Sequence, residues 1–220
     1  MIDWSQIDTV LLDMDGTLLD LHYDNYFWQQ YMPRRYAEIH RRDAEESRAQ
    51  VNHQINRARG TLAWYCVDHW SEQLKLDIPA LKREVAHMIR MRPFVEDFLK
   101  RLHHSDKHLV LVTNAHRKVL DLKLDHTGIG RWFDEMVVSH DYQVPKEDLQ
   151  FWHRFHATHP FTPARTLLID DNEAVLDAAR RYGVGHLLTL LQPDSQRDKR
   201  LDTRFPGIHH FDEIMPDGQL

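Results

Sequence analysis

The 220-residue chain has one cysteine, Cys66, so no disulfide can form within it. A lone thiol at no metal or redox spacing suits a reducing compartment and is expected in the core. The 8 glycines form no phosphate-cradling loop: there is no Walker A string, and Gly128-Ile129-Gly130 lacks the third glycine that dinucleotide binding requires. No apolar run reaches the roughly 18 residues of a membrane-spanning helix. The opening Met1-Ile2-Asp3-Trp4-Ser5 has neither the basic region nor the apolar stretch of a signal peptide. A cytoplasmic protein with no membrane partner is the expectation. Basic residues are outnumbered, with 28 Lys and Arg against 34 Asp and Glu for a formal net charge of -6. No long basic block compensates, which argues against general nucleic-acid binding and means that any anionic substrate is attracted locally. Histidine is plentiful, at 17 residues, so the net charge climbs as pH falls toward 6.

Five short runs have the character of buried strands: Thr9 to Leu12, Leu109 to Val112, Met136 to Val138, Thr166 to Ile169 and His186 to Leu190. Amphipathic patterns separate the last four. One runs from about Val119 to Thr127 and stops at Gly128, and another runs from about Glu173 to Tyr182 and stops at Gly183, as C-terminal glycines do. Repeated β-α units predict an α/β fold, a Rossmann-like three-layer core around a parallel sheet. The first interval breaks this rhythm, because the stretch from Leu12 to Leu109 is several times too long for a βαβ connection. Within it, Asp43-Ala44-Glu45-Glu46 has capping-box form, Gly60 ends a helix, and Thr61 and Asp77-Ile78-Pro79 are further helix starts. Residues 20–90 are therefore expected to form an inserted α-helical bundle, with the core built from 1–19 and 91–220. A helix starting near Pro93, with Phe94, Phe98, Leu99 and Leu102 apolar, returns the chain to the core. The tail from Gln192 is expected to wrap the surface before a short terminal helix.

The chemistry gathers at strand ends. Val10-Leu11-Leu12 runs into Asp13-Met14-Asp15-Gly16-Thr17, placing two carboxylates two residues apart where a buried strand gives way to a turn. Two close carboxylates repel unless a cation or proton lies between them. Thr113-Asn114 ends the second strand, Asp170-Asp171 the fourth, and Lys146 follows the third after a short loop. In a parallel sheet these ends share one edge, where open α/β sheets bind ligands. Carboxylates for Mg²⁺, an ammonium and a hydroxyl for phosphate oxygens, and one carboxylate free to attack phosphorus suit phosphoryl transfer.

This ordered set of motifs resembles the haloacid dehalogenase superfamily, specifically its phosphatases with a helical cap inserted after the first strand. The resemblance spans nearly the whole chain. It implies that Asp13 is the nucleophile and Asp15 the general acid and base. It also implies that Thr113, the backbone near Asn114 and Lys146 hold the phosphoryl oxygens, and that Mg²⁺ rests on the Asp13 carboxylate, the Asp15 main-chain carbonyl and Asp171. Many relatives carry Gly-Asp at the fourth motif and a further Asp four residues on, whereas here both positions are acidic and Val175 follows. Asp171 therefore takes the direct metal role and Asp170 a shared or outer one. The frequent Lys-Pro order is also altered, since Pro145 precedes Lys146 and Glu147 follows it. Longer strings, including Asp24-Asn25-Tyr26-Phe27-Trp28, Trp64-Tyr65-Cys66, Trp70-Ser71-Glu72-Gln73-Leu74, Thr113-Asn114-Ala115-His116 and Pro145-Lys146-Glu147-Asp148, are similar to the bacterial GMP/IMP nucleotidase branch. That likeness implies a purine 5′-nucleotide such as GMP or IMP as the phosphate monoester.

Other readings remain beside this one. A sugar-phosphate phosphatase or a β-phosphoglucomutase-like phosphomutase would use the same groups, and a phosphate-binding interaction module would use them without turnover. An EF-hand is excluded, because its sixth and twelfth positions would fall on Leu18 and Asp24. His153, His156 and His159 repeat every three residues and invite a zinc site, although such a face is more often a polar surface. The aromatics Tyr23, Tyr26, Phe27, Trp28, Trp64, Tyr65 and Trp70 are chiefly packing residues, with one or two available to stack a purine. A monomer and a homodimer are equally compatible with the sequence.

Overall fold

The computed structural model describes residues 2–216. Its strands are β1 (Thr9–Leu12), β2 (His108–Thr113), β3 (Glu135–Val138), β4 (Thr166–Ile169), β5 (His186–Leu190) and β6 (Gly207–Ile208). They pair in parallel in the order β3-β2-β1-β4-β5-β6. The chain leaves β1 toward β2 and β3, then crosses back to β4 beyond β1. A crevice therefore opens at the carboxyl ends of β1 and β4, the switch point of such a sheet. Leu12 is level with Leu111 on one side and Ile169 on the other, so the residues that follow these strands emerge at one edge.

Alternation along β1 explains the layers. Val10 and Leu12 join one apolar cluster with Phe98 and Leu99 of α7 (Val95–His103) and Leu120 of α8 (Arg117–Thr127). Leu11 faces the other way, into Phe151, Trp152 and Phe155 of α9 (Leu149–Thr158) and Leu176 and Ala179 of α10 (Glu173–Tyr182). Each fully buried side chain of this size contributes roughly 1.5–3 kcal/mol. The expected α/β parallel-sheet fold is therefore present, and the glycine at the end of α10 ends it as read, with Gly183 at φ 110°.

Helices fill the interval between β1 and β2. Near its start α1 (His22–Tyr26) passes through a π turn, Phe27–Tyr31, into α2 (Met32–His40). After these come α3 (Ala44–Ala58), α4 (Leu62–Tyr65), α5 (Val67–Leu74) and α6 (Ile78–Glu84). Asp43 caps α3 by accepting from the Glu45 and Glu46 amides, and Asp77 caps α6 through the Ala80 amide. Phe27, Met32, Val51, Trp70 and Leu81 from this stretch lie in the same apolar cluster as Leu12. Among the described residues no helix is long and apolar enough to cross a membrane.

Three expectations need correction. The helix after Pro93 begins at Val95, because Phe94 takes a left-handed backbone (φ 64°) as its N-cap and turns its ring outward onto His210. The tail does more than wrap the surface: β6 extends the sheet, pairing Ile208 with Leu190, and the 3₁₀ turn Phe211–Ile214 buries Phe211 and Ile214. Cys66 is only half-buried, since it serves as the N-cap of α5, where its Sγ accepts from the His69 amide.

Candidate active site

The loop after β1 is wound tightly. The Asp13 amide extends the sheet by donating to the Ile169 carbonyl at 3.0 Å, and the amides of Leu18 and Leu19 both return to the Met14 carbonyl. Gly16 sits inside this turn at φ 84°, and a Cβ there would stand 2.7 Å from the Asp171 carboxylate. Only glycine tolerates both the backbone and the contact. Thr17 is fully buried, and its hydroxyl accepts from the Asp171 amide at 3.1 Å. The first and fourth motifs are thereby fixed to each other.

Lys146 occupies the centre. Its ammonium donates to Asp13 Oδ1 at 2.6 Å, Asp170 Oδ2 at 2.7 Å and the Val112 carbonyl at 2.8 Å. Its own carbonyl is pinned by the indole N–H of buried Trp152, at 2.9 Å. Asp170 has both oxygens engaged, the second by the Asn172 amide. Thr113 is buried and accepts from the Ala115 amide. The side chain of Asn114 is committed to protein: its Oδ1 accepts from the Lys146 amide, and its Nδ2 donates to Glu147. Asn114 thereby ties the loop after β2 to the segment that carries Lys146 and Glu147.

Carboxylate oxygens of Asp13, Asp170 and Asp171 lie within 4.8 Å of one another. Two buried acids and the partly exposed Asp171 thus face the Lys146 ammonium, with the Arg200 guanidinium 3.7 Å from Asp171, and their electrostatics record the excess of negative charge. Burial pushes the Asp13 carboxyl up to about 6, with the charge of Asp170 adding to it against the pull of Lys146. Burial, then the charges of Asp13 and Asp170, hold Asp171 well above the ordinary carboxylate range. Burial alone would depress Lys146, but Asp13 and Asp170 keep its ammonium above its usual value. The donor set is all oxygen, which suits a hard divalent cation such as Mg²⁺. The notch at Gly16 lets the β1 loop and Asp171 close on one point. The residues present fit such an ion.

All seven residues singled out from the sequence, Asp13, Asp15, Thr113, Asn114, Lys146, Asp170 and Asp171, line one cavity of about 930 Å³. The helices between β1 and β2 supply its other wall, including Trp28, Trp64, Tyr65, Asn52, Asn56 and Arg59. Sequence reasoning overlooked several members. Glu147 accepts from Tyr65, Asn114 and Asn172, tying α4 to two strand-end loops. Arg200, from the tail, donates to the Asp171 carbonyl at 2.6 Å. Lys123, Asp24 and Lys82 form an ion chain, its two lysines buried, that ends on Asp15. Only Glu147 carried a local signal, as the acid that replaces proline after the lysine. The histidine triplet forms no metal site: His156 bonds the Tyr182 hydroxyl, His159 pairs with Glu135, and His153 packs on the Tyr182 ring.

The sequence profile of the family described as "Haloacid dehalogenase-like hydrolase" matches residues 10–188, from β1 into β5. The GMP/IMP nucleotidase YrfG of Escherichia coli (strain K12) is 40% identical over 215 residues, 98% of this chain and 97% of its own length. Among solved structures, a HAD phosphatase from Thermococcus onnurineus superposes with a TM-score of 0.77 at 19% identity, covering 94% of this chain and 96% of that one. The HAD-hydrolase YfnB from Bacillus subtilis, bound to magnesium, gives 0.64 at 18% identity, with the same coverage of 94% and 96%. At such identities these two likenesses bear on the fold alone. Sequence profile and relative agree with the strand-end cluster, and the chain belongs to the haloacid dehalogenase-like hydrolase family.

Proposed function

We propose that this hydrolase cleaves phosphate monoesters through an aspartyl-phosphate on Asp13, with purine nucleoside 5′-monophosphates of the GMP and IMP type as substrates. The observation that carries the reading is Asp13 itself, at the carboxyl end of the central strand, 2.6 Å from a buried ammonium and inside an acidic oxygen cluster. Asp13 attacks phosphorus; the ester P–O bond breaks, and its electron pair leaves with the alcohol oxygen, which takes a proton from Asp15. Asp15 then removes a proton from water as that water attacks phosphorus and the bond to Asp13 breaks. Burial pushes Asp15 up to about 6 despite Lys123 beside it, a value suited to giving and taking a proton near neutrality. Thr113, the loop amides beyond it and Lys146 offset charge on the phosphoryl oxygens, each contributing roughly 10²–10³-fold in rate.

Asp13, Asp171 and the Asp15 carbonyl would hold Mg²⁺, while Asp170, with both oxygens already engaged, supports from outside. The bound cation would neutralise the approach of carboxylate to phosphate. Residues 20–90 act as a cap over a core of 1–19 and 91–220, shielding the reaction from water. The nucleotide reading is supported by the 40% identical nucleotidase and by a cavity wall that combines Trp28 and Trp64 with Asn52, Asn56 and Arg59. The lone cysteine suits the cytoplasm.

Phosphate release from GMP, IMP, AMP and a set of sugar phosphates tests the assignment. GMP and IMP are expected to give the highest kcat/KM. Sugar phosphates turned over as well as GMP would remove the nucleotide assignment and keep the phosphatase. Interconversion of sugar phosphates without phosphate release would replace the hydrolase with a mutase.

A further inference from the structure

Beside the phosphate cluster four side chains alternate in charge, two buried lysines and two partly exposed aspartates. The Lys123 ammonium donates to Asp15 Oδ1 at 2.5 Å and to Asp24 Oδ2 at 2.6 Å, and the Lys82 ammonium donates to Asp24 Oδ1 at 2.8 Å. Lys123 is 1% exposed and Lys82 2%. The far end of the chain is closed by aromatic faces, with the Lys82 nitrogen 4.4 Å from the Phe27 ring centroid and 4.8 Å from that of Tyr23. Tyr23 in turn donates its hydroxyl to the Lys82 carbonyl. The π turn beginning at Phe27 follows directly on the helix that carries Tyr23 and Asp24, and such turns recur at functional sites.

Stability gives no reason for this arrangement. Apolar residues of equal volume commonly do as well or better than a buried ion chain. Its end on Asp15 gives a reason. A carboxylate rotates easily about its last torsion, which has broad, two-fold preferences. We propose that Lys123 is a positioning residue for Asp15, itself held by Asp24 and Lys82, and that it fixes which carboxylate oxygen meets the leaving group. The inference rests on the reading of Asp15 as proton donor. An ammonium donates and never accepts, so Oδ1 stays an acceptor toward Lys123 and the transferable proton belongs on Oδ2. Asp15 lines the cavity and keeps 23% of its side chain exposed. Asp24 and Lys82 come from α1 and α6, whereas Lys123 comes from α8. Alignment of the acid therefore depends on those helices being seated against the sheet.

The test is the dependence of the first step on the leaving group, read as the pre-steady-state rate of release of guanosine or p-nitrophenolate, because Asp15 also serves the water attack that both substrates share. GMP loses an alkoxide that needs a proton, while p-nitrophenyl phosphate loses a phenolate that departs without one. Lys123→Met is expected to lower the first-step rate on GMP about 10²-fold or more, with release of p-nitrophenolate in the first turnover within about threefold of the parent. Lys123→Arg should restore part of the GMP rate. Equal first-step losses on both substrates, or no first-step loss on GMP, would overturn the inference. Should Lys123→Met fail to fold, Asp24→Asn loosens Lys123 without removing it and must show the same selective loss, smaller in size. Asp15→Asn runs in parallel. If it slows the first step of both substrates equally, the proton-donor reading fails and takes the inference with it. If it is selective while Lys123→Met is not, the positioning role alone is refuted.

Discussion

As the proposed nucleophile, Asp13 would carry two demands that conflict until a cation is present. It must be a carboxylate to attack, yet burial and Asp170 raise it from the usual 3.8 to about 6. A raised folded-state value means that the folded chain holds this proton more tightly than the unfolded one. The stabilisation is complete below about pH 4 and is lost as pH rises through about 6, a swing on the order of 2–3 kcal/mol. In chelator, the melting temperature of the parent minus that of Asp13→Asn should therefore fall across this window. Mg²⁺ should then raise the parent and leave the variant unmoved. A difference flat in pH, or an equal response to Mg²⁺, would contradict the electrostatic account. Gly16 gives a second prediction at this scale. A methyl group there meets the Asp171 carboxylate at 2.7 Å on a backbone of φ 84°. Gly16→Ala should lose about 1–2 kcal/mol of stability from the left-handed backbone. It should also raise the Mg²⁺ concentration for half-maximal activity by roughly 10–100-fold, read from a metal titration.

At the scale of elements, the cavity wall from the helices between β1 and β2 divides the work with the strand ends. Trp64 lines the cavity, edge-on to Tyr65 at 4.7 Å between ring centroids and with the Arg59 guanidinium 5.9 Å above it. Loss of one stacking ring is worth about 0.5–1.5 kcal/mol. Trp64→Ala should raise KM for GMP by roughly 2–10-fold and leave turnover of a small aryl phosphate unchanged. Steady-state kinetics on both substrates check this, and parallel losses would place Trp64 in packing only. What the sequence made legible at this scale follows from locality. Strands β1 to β5 and the strand-end residues were readable because an apolar run and its terminal polar residues are contiguous, and a parallel sheet then brings those ends together without further information. The chain from Asp15 through Lys123 and Asp24 to Lys82 was not, because each lysine alone reads as a solvated charge on a helix. Only the packing of α1, α6 and α8 buries them. Strand β6 was missed because two residues carry no period, and Cys66 was misread because a small apolar-looking residue can serve as a cap.

Taken as a whole, the molecule places a cluster of three acidic side chains at the switch point of its sheet and surrounds it with contacts from distant segments. Tyr65 reaches Glu147, Lys118 reaches Asp68 at 2.7 Å, and Asn25 reaches Asp194 at 2.6 Å. The tail contributes Arg200 to the Asp171 carbonyl. These links join helices, sheet edge and tail around the cavity. The central claim is that Asp13, with a bound divalent cation, carries phosphoryl transfer. It is tested most directly by the initial rate of phosphate release from GMP in saturating Mg²⁺, in chelator, and in Mg²⁺ with Asp13→Asn. The account predicts turnover in the first condition only, with the other two lower by at least about 10³-fold. A rate within tenfold of the parent in Asp13→Asn, or one indifferent to chelator, would contradict it.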